Sequence, residues 1–334
     1  MMRTRVTLAD VAAIARVDRA VVSRVVNKDP TLNIRPETRE RVLAAIEELG
    51  YRPNVAARSL RTSRAHMFGL FIPDFVNPVY AEIIKGAEAE AAAQGYVMVT
   101  GSATGAGLGE YMDRIGQGRI DGLLLAGAGD DSSLIAQLDQ SAIPWLMLNN
   151  RSGSVKRYVI LDDRRAAALA VEHLVLLGHR RIAHLAGPSR SDTAARRSAG
   201  YSAAMGDAGL PEGPIVAADY TPAGGAVAMA RLLADPEPPT AVFVANAASA
   251  IGAMQAVRTA GLEIPRNVSI VAVHDFELAG YLHPALTTVR MPLAELGRRG
   301  VTLLGSMKPD DTIAEVLADP IELIQRGSTA PPHR

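Results

Sequence analysis

Apolar residues Leu8, Val11, Ala12 and Ala15 repeat on one helical face. Thr7, with Asp10 three residues on, supplies the N-terminal capping signal, and the pattern stops near Arg16-Val17. Asp18 caps a second helix whose back carries Val21, Val22, Val25 and Val26 and whose front shows Arg19, Ala20, Ser23 and Arg24. Pro36 opens a third helix, striped by Val42, Ile46 and Leu49 and ended by Gly50. Three short helices around one small core predict a helix-turn-helix head. A short helix with an apolar back and a small, basic front suits the major groove of double-stranded DNA. An ordinary helical hairpin with a solvated face shares the apolar pattern, so the two helices alone leave both readings open. The stretch Y-R-P-N-V-A-A-R-S-L-R-T-S-R that follows from Tyr51 has too little apolar surface to fold alone.

From Met67 onward the pattern changes to alternating short apolar runs and alanine-rich helical stretches. Strands are expected from Met67, Tyr96, Asp121 and Ile143, with a helix over Tyr80 to Gln94. After Y-V-I-L-D at Tyr158 the β-α pattern restarts. Its helices are expected at Arg164 to Leu177, Arg196 to Ala208, Gly224 to Leu233 and Ala248 to Ala260. Its strands are expected at Ile182 to Ala186, Ile215 to Asp219, Ala241 to Ala245 and Val268 to Val273. A helix follows Pro292, and a last strand over Ile321 to Gln325 returns to the body. A β-α repeat made twice predicts an α/β body of two doubly wound parallel sheets with helices on both faces.

Charge sharpens this division. Residues 1–64 hold 13 Lys+Arg against 7 Asp+Glu, a net of +6, and the rest hold 22 against 28. A basic head on an acidic body is a nucleic-acid footprint, because neutralising phosphates supplies most sequence-independent affinity. The chain has no cysteine and its seven histidines are scattered. G-x-S-x-G and H-E-x-x-H are absent, so no enzyme, metal site or cofactor is expected. No apolar run reaches membrane-spanning length, and M-M-R-T-R leads straight into a capped helix. The expectation is a cytoplasmic protein without a signal peptide and without membrane contact. The glycine-rich G-S-A-T-G-A-G-L-G from Gly101 misses the dinucleotide spacing and reads as a flexible loop.

The motifs V-T-L-A-D-V-A from Val6, V-S-R-V-V-N from Val22 and R-E-R-V-L-A-A-I-E-E-L-G-Y-R-P-N-V-A-A-R-S-L from Arg39 resemble the LacI/GalR family of bacterial transcription regulators. The body adds P-D-F-V-N-P from Pro73, V-E-H-L-V-L-L-G-H-R-R-I from Val171 and H-P-A-L-T-T-V-R from His283. The resemblance covers nearly the whole chain. It implies a repressor dimer on a palindromic operator, controlled by a small-molecule effector held in a two-lobed, periplasmic-binding-protein-like body. The expected division is a head over 1–52, a hinge helix and linker over 53–65, and an effector-binding and dimerisation unit over 66–334. Lobe 1 takes about 66–160 and 291–318, and lobe 2 about 161–290 and 319–330. Carried onto matching positions, the DNA-contacting set is Thr7, Arg19, Ala20, Val21, Ser23, Arg24, Asn27, Tyr51, Asn54, Ala57, Arg58 and Leu60. Leu60 takes the part of the minor-groove wedge. Dimerisation is expected through the body, because the tail from Arg326 lacks a heptad repeat.

Two facing open sheets bind small molecules at the carboxyl ends of their strands. The resemblance places the effector there, on Asn77, Val79, Tyr80, Ala126 and Asn149 of the first lobe. The second lobe offers Thr193, Arg197, Tyr220, Asn246 and His274. Asn77 before Pro78 also suits a simple turn. Asp162, Asp163 and Asp275 suit the crossovers between lobes better than a ligand. Sugar-responsive members typically carry N-D where this chain has Asn246-Ala247, G-[FY]-D-D where it has A-V-H-D from Ala272, and an aspartate where it has Asn149. Fewer carboxylates beside Arg197 and His274 suggest an anionic effector such as a sugar acid or sugar phosphate, with a neutral ligand as the alternative. In the head, Arg16 replaces the usual turn glycine and offers a phosphate contact, and Arg35 stands where a capping serine is common.

Overall fold

The computed structural model describes residues 6–27, 29–51, 64–102, 120–127, 132–141, 143–153, 155–308, 311–318 and 320–333. The chain forms two compact units, Met1–Ala65 and His66–Arg334. The hinge positions Asn54, Ala57, Arg58 and Leu60 lie outside the described residues, as does most of the glycine-rich stretch.

The first unit holds α1 (Leu8–Ala15), α2 (Arg19–Val26) and α3 (Pro36–Leu49). Thr7 and Asp10 make a reciprocal capping box on α1, and Asp18 caps α2 by accepting the Ala20 N–H at 2.7 Å. Val11, Ala12, Ala15, Val22, Val25, Val42 and Ala45 form the small core, with Ile46, Leu49 and Tyr51 packed against it. α1 ends on Arg16 at φ 51°, the left-handed region where glycine is usual. Arg35 begins α3 without any side-chain cap, and Gly50 closes it at φ 58°.

The second unit contains two six-stranded sheets of the same order. Lobe 1 is built from β1 (Met67–Ile72), β2 (Val97–Ser102), β3 (Gly122–Ala126), β4 (Trp145–Leu148), β5 (Arg157–Leu161) and β11 (Ile313–Leu317), ordered 11-5-4-3-1-2. Lobe 2 is built from β6 (Ile182–Ala186), β7 (Ile215–Ala217), β8 (Ala241–Val244), β9 (Ser269–Val273), β10 (Thr287–Arg290) and β12 (Glu322–Ile324), ordered 12-10-9-8-6-7. The chain therefore passes between sheets after β5, after β10 and after β11. Helices α4 (Pro78–Ala93), α5 (Ser132–Gln140) and α10 (Leu293–Ser306) belong to lobe 1. Helices α6 (Asp163–Leu176), α7 (Asp192–Asp207), α8 (Pro222–Leu233) and α9 (Ala247–Thr259) belong to lobe 2.

Central strands β3, β4, β6, β8 and β9 are buried along their length, which is why they read as continuous apolar runs. One departure from an all-parallel body is β12, which returns antiparallel to β10. Helices α4, α7 and α8 start earlier than the periodicity suggests, because Asn77, Ser191 and Thr221 cap them. β10 carries too few apolar residues to read as a strand. Its buried Thr287 and Thr288 are satisfied by Ser328, Thr329 and Asp275 instead.

Very close helix pairs made possible by glycine occur in both lobes. A Cβ on Gly86 of α4 would sit 1.8 Å from the Ala294 carbonyl oxygen of α10, and one on Gly252 of α9 would sit 1.7 Å from that of Pro222. Among the described residues no helix is long and apolar enough to cross a membrane.

Candidate functional site

On the head, Thr7, Arg19, Ala20, Arg24 and Asn27 are exposed, and Val21, Ser23 and Tyr51 are half-buried. Val21 and Tyr51 rest on the small core, so only their outer edges are available. Asn27 folds its amide back onto the Ser23 carbonyl at 2.6 Å. Arg24 is the departure from a simple basic front. Its guanidinium is already engaged within the head, by Asp29 and Thr31. Arg19 has a free outer face on the first turn of α2, and Ala20 beside it is small enough to meet a thymine methyl.

In the body, the carboxyl ends of both sheets face one cleft. Asn77, Pro78 and Val79 of lobe 1 lie across from Ala247, Ala248, His274 and Phe276 of lobe 2, around a narrow gap of about 10 Å³. Arg197, bonded to His274 of that lining, is buried and engaged on three sides. Its Nε donates to Asp163 Oδ1 at 2.7 Å, one Nη donates to the Ala245 carbonyl at 2.6 Å, and the other donates to His274 Nε2 at 2.8 Å. Asp163 is itself completely buried and takes Arg196 on its other oxygen, through Nε at 3.1 Å and Nη2 at 2.5 Å. Arg196 reaches on to Asp192, which bonds the backbone N–H and guanidinium of Arg151 at 3.0–3.2 Å. Arg151 follows β4 and Asp192 opens α7, so this charged ladder ties lobe 1 to lobe 2. Both buried arginines share Asp163, and the half-buried Asp192 is shared in turn by Arg196 and Arg151, so three arginines meet two aspartates along the ladder.

Burial, with Arg197's charge second, holds the His274 imidazole well below its ordinary pKa, so it is neutral. An arginine only donates, so His274 accepts at Nε2 and carries its proton on Nδ1. That Nδ1 is buried without a partner, and so is Oδ1 of Asn149. Tyr80 has its phenol pushed up in pKa, by burial first and then by Tyr220 nearby. Its hydroxyl lies against Gly127, where a Cβ would be 2.5 Å away. Tyr220 bonds Thr193 at 3.1 Å, and its ring fills the space a side chain at Gly187 would need.

The backbone marks the same places. Asn149, Tyr220 and His274 have φ of 56°, 65° and 73°. Left-handed non-glycine residues cost about 1–3 kcal/mol each and cluster at binding sites. These three are drawn from the expected effector set, out of five such residues among the described ones.

The structure thus joins Arg197 to His274, Thr193 to Tyr220, and Asn77 and Val79 to the same cavity as His274. Ala126 ends β3 fully buried. Asn77 and Asn246 spend their side chains as helix caps, and Asn246 also donates to the Tyr220 carbonyl at 3.1 Å. Asp275 binds Thr288, Arg290 and Arg326 and holds a crossover together. Sequence reasoning missed Asp163, Arg196, Asp192 and Arg151 as site residues. The doubled arginine at 196–197 was the available signal, because two adjacent buried cations demand buried carboxylates.

Residues 7–54 match the family model described as bacterial regulatory proteins, lacI family, and residues 171–329 match the periplasmic binding protein-like domain. The ribose operon repressor of Escherichia coli (strain K12) is 35% identical over 331 residues, covering 96% of this chain and 99% of that protein. The structure of the lac repressor dimer bound to operator and the anti-inducer ONPF is similar at TM-score 0.84. It is 28% identical and covers 98% of this chain and 100% of that one. The complex of the transcriptional regulator CelR with cellobiose is similar at TM-score 0.74, with 30% identity over 97% of this chain and 100% of that one.

Proposed function

The chain belongs to the LacI family of bacterial regulatory proteins, and from that premise we propose that its effector is a neutral, hydroxyl-bearing small molecule held between the lobes. It is a sequence-specific DNA-binding transcriptional regulator, not an enzyme. The observation that carries the effector reading is the pairing of Arg197 with Asp163, together with two buried groups that lack a partner, the His274 Nδ1–H and the Asn149 Oδ1. A hydroxyl both donates and accepts, so a polyol satisfies both. The guanidinium that the sequence alone reserved for a sugar acid or sugar phosphate is already engaged by Asp163, the Ala245 carbonyl and His274, which favours a neutral sugar. The ribose and cellobiose named for the two relatives are of that kind.

The ladder from Arg151 to Asp192 bridges the lobes on one side of the cleft, and a ligand that alters it would alter the angle between them. The segment over 53–65 leads directly into β1. A changed lobe angle would therefore reset the spacing of the two hinge starts in a dimer, and with it the pairing of hinges and the Leu60 wedge at the operator centre.

The second subunit is best seated on the apolar patch flanking the cavity. Val76 is 86% and Tyr281 79% exposed, next to exposed Phe75 and Leu278, on segments from both lobes. Val76→Asp combined with Tyr281→Asp should convert a dimer to a folded monomer in sedimentation at micromolar concentration. A persisting dimer would place the interface elsewhere.

Base reading is tested by selecting duplexes from a randomised pool with the full chain. A palindrome should emerge, and Arg19→Ala should cost about 1–3 kcal/mol on it and relax one half-site position. Equal weakening on every duplex would reduce Arg19 to a phosphate contact.

A further inference from the structure

The Arg24 guanidinium has two hydrogen-bonding edges, and the head consumes one of them. Nε donates to Asp29 Oδ2 at 2.8 Å, and Nη2 donates to Thr31 Oγ1 at 2.8 Å. The two acceptors are themselves locked together. Asp29 Oδ1 accepts the Thr31 backbone N–H at 2.8 Å and its hydroxyl at 2.7 Å. A carboxylate and a hydroxyl held side by side match the Nε/Nη2 side of the fork. Arg24 makes no other hydrogen bond among the described residues. Its end-on pair, one N–H from each terminal nitrogen, is left pointing outward, on a side chain 44% exposed. That pair has the spacing to meet O6 and N7 of a guanine, while adenine, with one donor and one acceptor on that edge, mismatches it. The Asp29 carboxyl is pulled down to about 2 by Arg24 first and Thr31 next, so the brace is ionised at any working pH.

We propose that Asp29 and Thr31 are positioning residues that fix Arg24 end-on and thereby make this head select guanine at one position of each operator half-site. The proposal rests on the DNA-reading role of α2. Holding the fork in place removes the side-chain freedom that an unbraced arginine loses on binding, and it blocks the alternative in which Arg24 swings to a phosphate. Asp29 adds a negative charge near the DNA, so its presence is better explained by orientation than by affinity.

The test uses the full chain and a randomised palindromic duplex pool, sequenced after selection, with wild type, Asp29→Ala, Thr31→Val and Arg24→Ala compared at several salt concentrations. Wild type should prefer guanine at one half-site position by about 10-fold or more. Arg24→Ala should erase that preference. Asp29→Ala and Thr31→Val should each lower it about 3- to 10-fold, with preferences elsewhere unchanged, and neither should lower it further in the Arg24→Ala background. Circular dichroism of each variant separates loss of the head's fold from loss of selectivity, and Thr31→Val keeps shape and charge if Asp29→Ala does not fold. The brace is overturned if Asp29→Ala keeps the guanine preference, or if it only tightens binding to all duplexes alike. If Arg24→Ala itself changes no preference while the selected palindrome persists, Arg24 does not read a base and the proposal fails, although α2 still reads DNA.

Discussion

Replacing Asp163 with alanine is expected to destabilise the body by about 3–5 kcal/mol, the range for removing one partner of a buried ion pair. The cost comes from what is left behind. Arg196 and Arg197 are both buried and adjacent, and Asp163 is the carboxylate they share. Without it, two cations face each other away from water. Asp192 still engages Arg196 but does not reach Arg197. For a unit of this size, each kcal/mol moves the melting temperature roughly 2–4 °C, so a drop of roughly 6–20 °C is expected in calorimetry. Asp163→Leu combined with Arg196→Met and Arg197→Leu should recover much of that loss, because burying neither charge avoids both desolvation costs. A melting point within about 2 °C of wild type for Asp163→Ala would mean that the buried network is not what joins β5, α6 and α7.

Arg197→Ala should produce the largest functional effect, a regulator that binds operator but no longer responds to its effector. Arg197 donates to the Ala245 carbonyl and to His274, so it sets both the floor of the cleft and the tautomer of the imidazole. Removing it frees His274 to turn its proton either way and opens a space at the cleft base. Hydrogen bonds to charged groups contribute about 1.5–3 kcal/mol each. Losing this group together with the tautomer it imposes should raise the effector midpoint at least about 100-fold. The partner left behind, Asp163, keeps Arg196, so this variant should fold where Asp163→Ala struggles. Unchanged effector sensitivity with normal operator affinity would remove Arg197 from the site.

The head was largely legible from residues alone. Thr7 with Asp10, Asp18 and Gly50 act through neighbours within three or four positions, and local chemistry of that kind can be read along a chain. The two-sheet body followed from the β-α alternation, since buried parallel strands leave apolar runs. The antiparallel β12 did not, because pairing direction depends on where the chain returns after β11 rather than on its own residues. The cleft residues came from the resemblance, strand end by strand end. What neither source supplied were pairings across long separations. Asp163 meets Arg196 and Arg197 from 33 and 34 residues away. Arg151 meets Asp192 across 41. Arg24 looked like an unencumbered basic front until the loop carrying Asp29 and Thr31 was seen to fold back on it. Each of these changes the chemistry. A paired Arg197 is a positioned donor rather than an anion trap, and a braced Arg24 is a reader of fixed orientation rather than a flexible cation.

The central claim is that a neutral polyol between the lobes controls operator affinity. It is tested most directly by fluorescence anisotropy of a selected operator duplex, titrated with the full chain in the presence of neutral pentoses and hexoses and of their acid and phosphate counterparts. The account predicts that at least one neutral sugar shifts the binding midpoint about 10-fold or more, that its acid or phosphate does not, and that Arg197→Ala abolishes the shift. A shift produced by the acids or phosphates alone, or one that survives in Arg197→Ala, would contradict it.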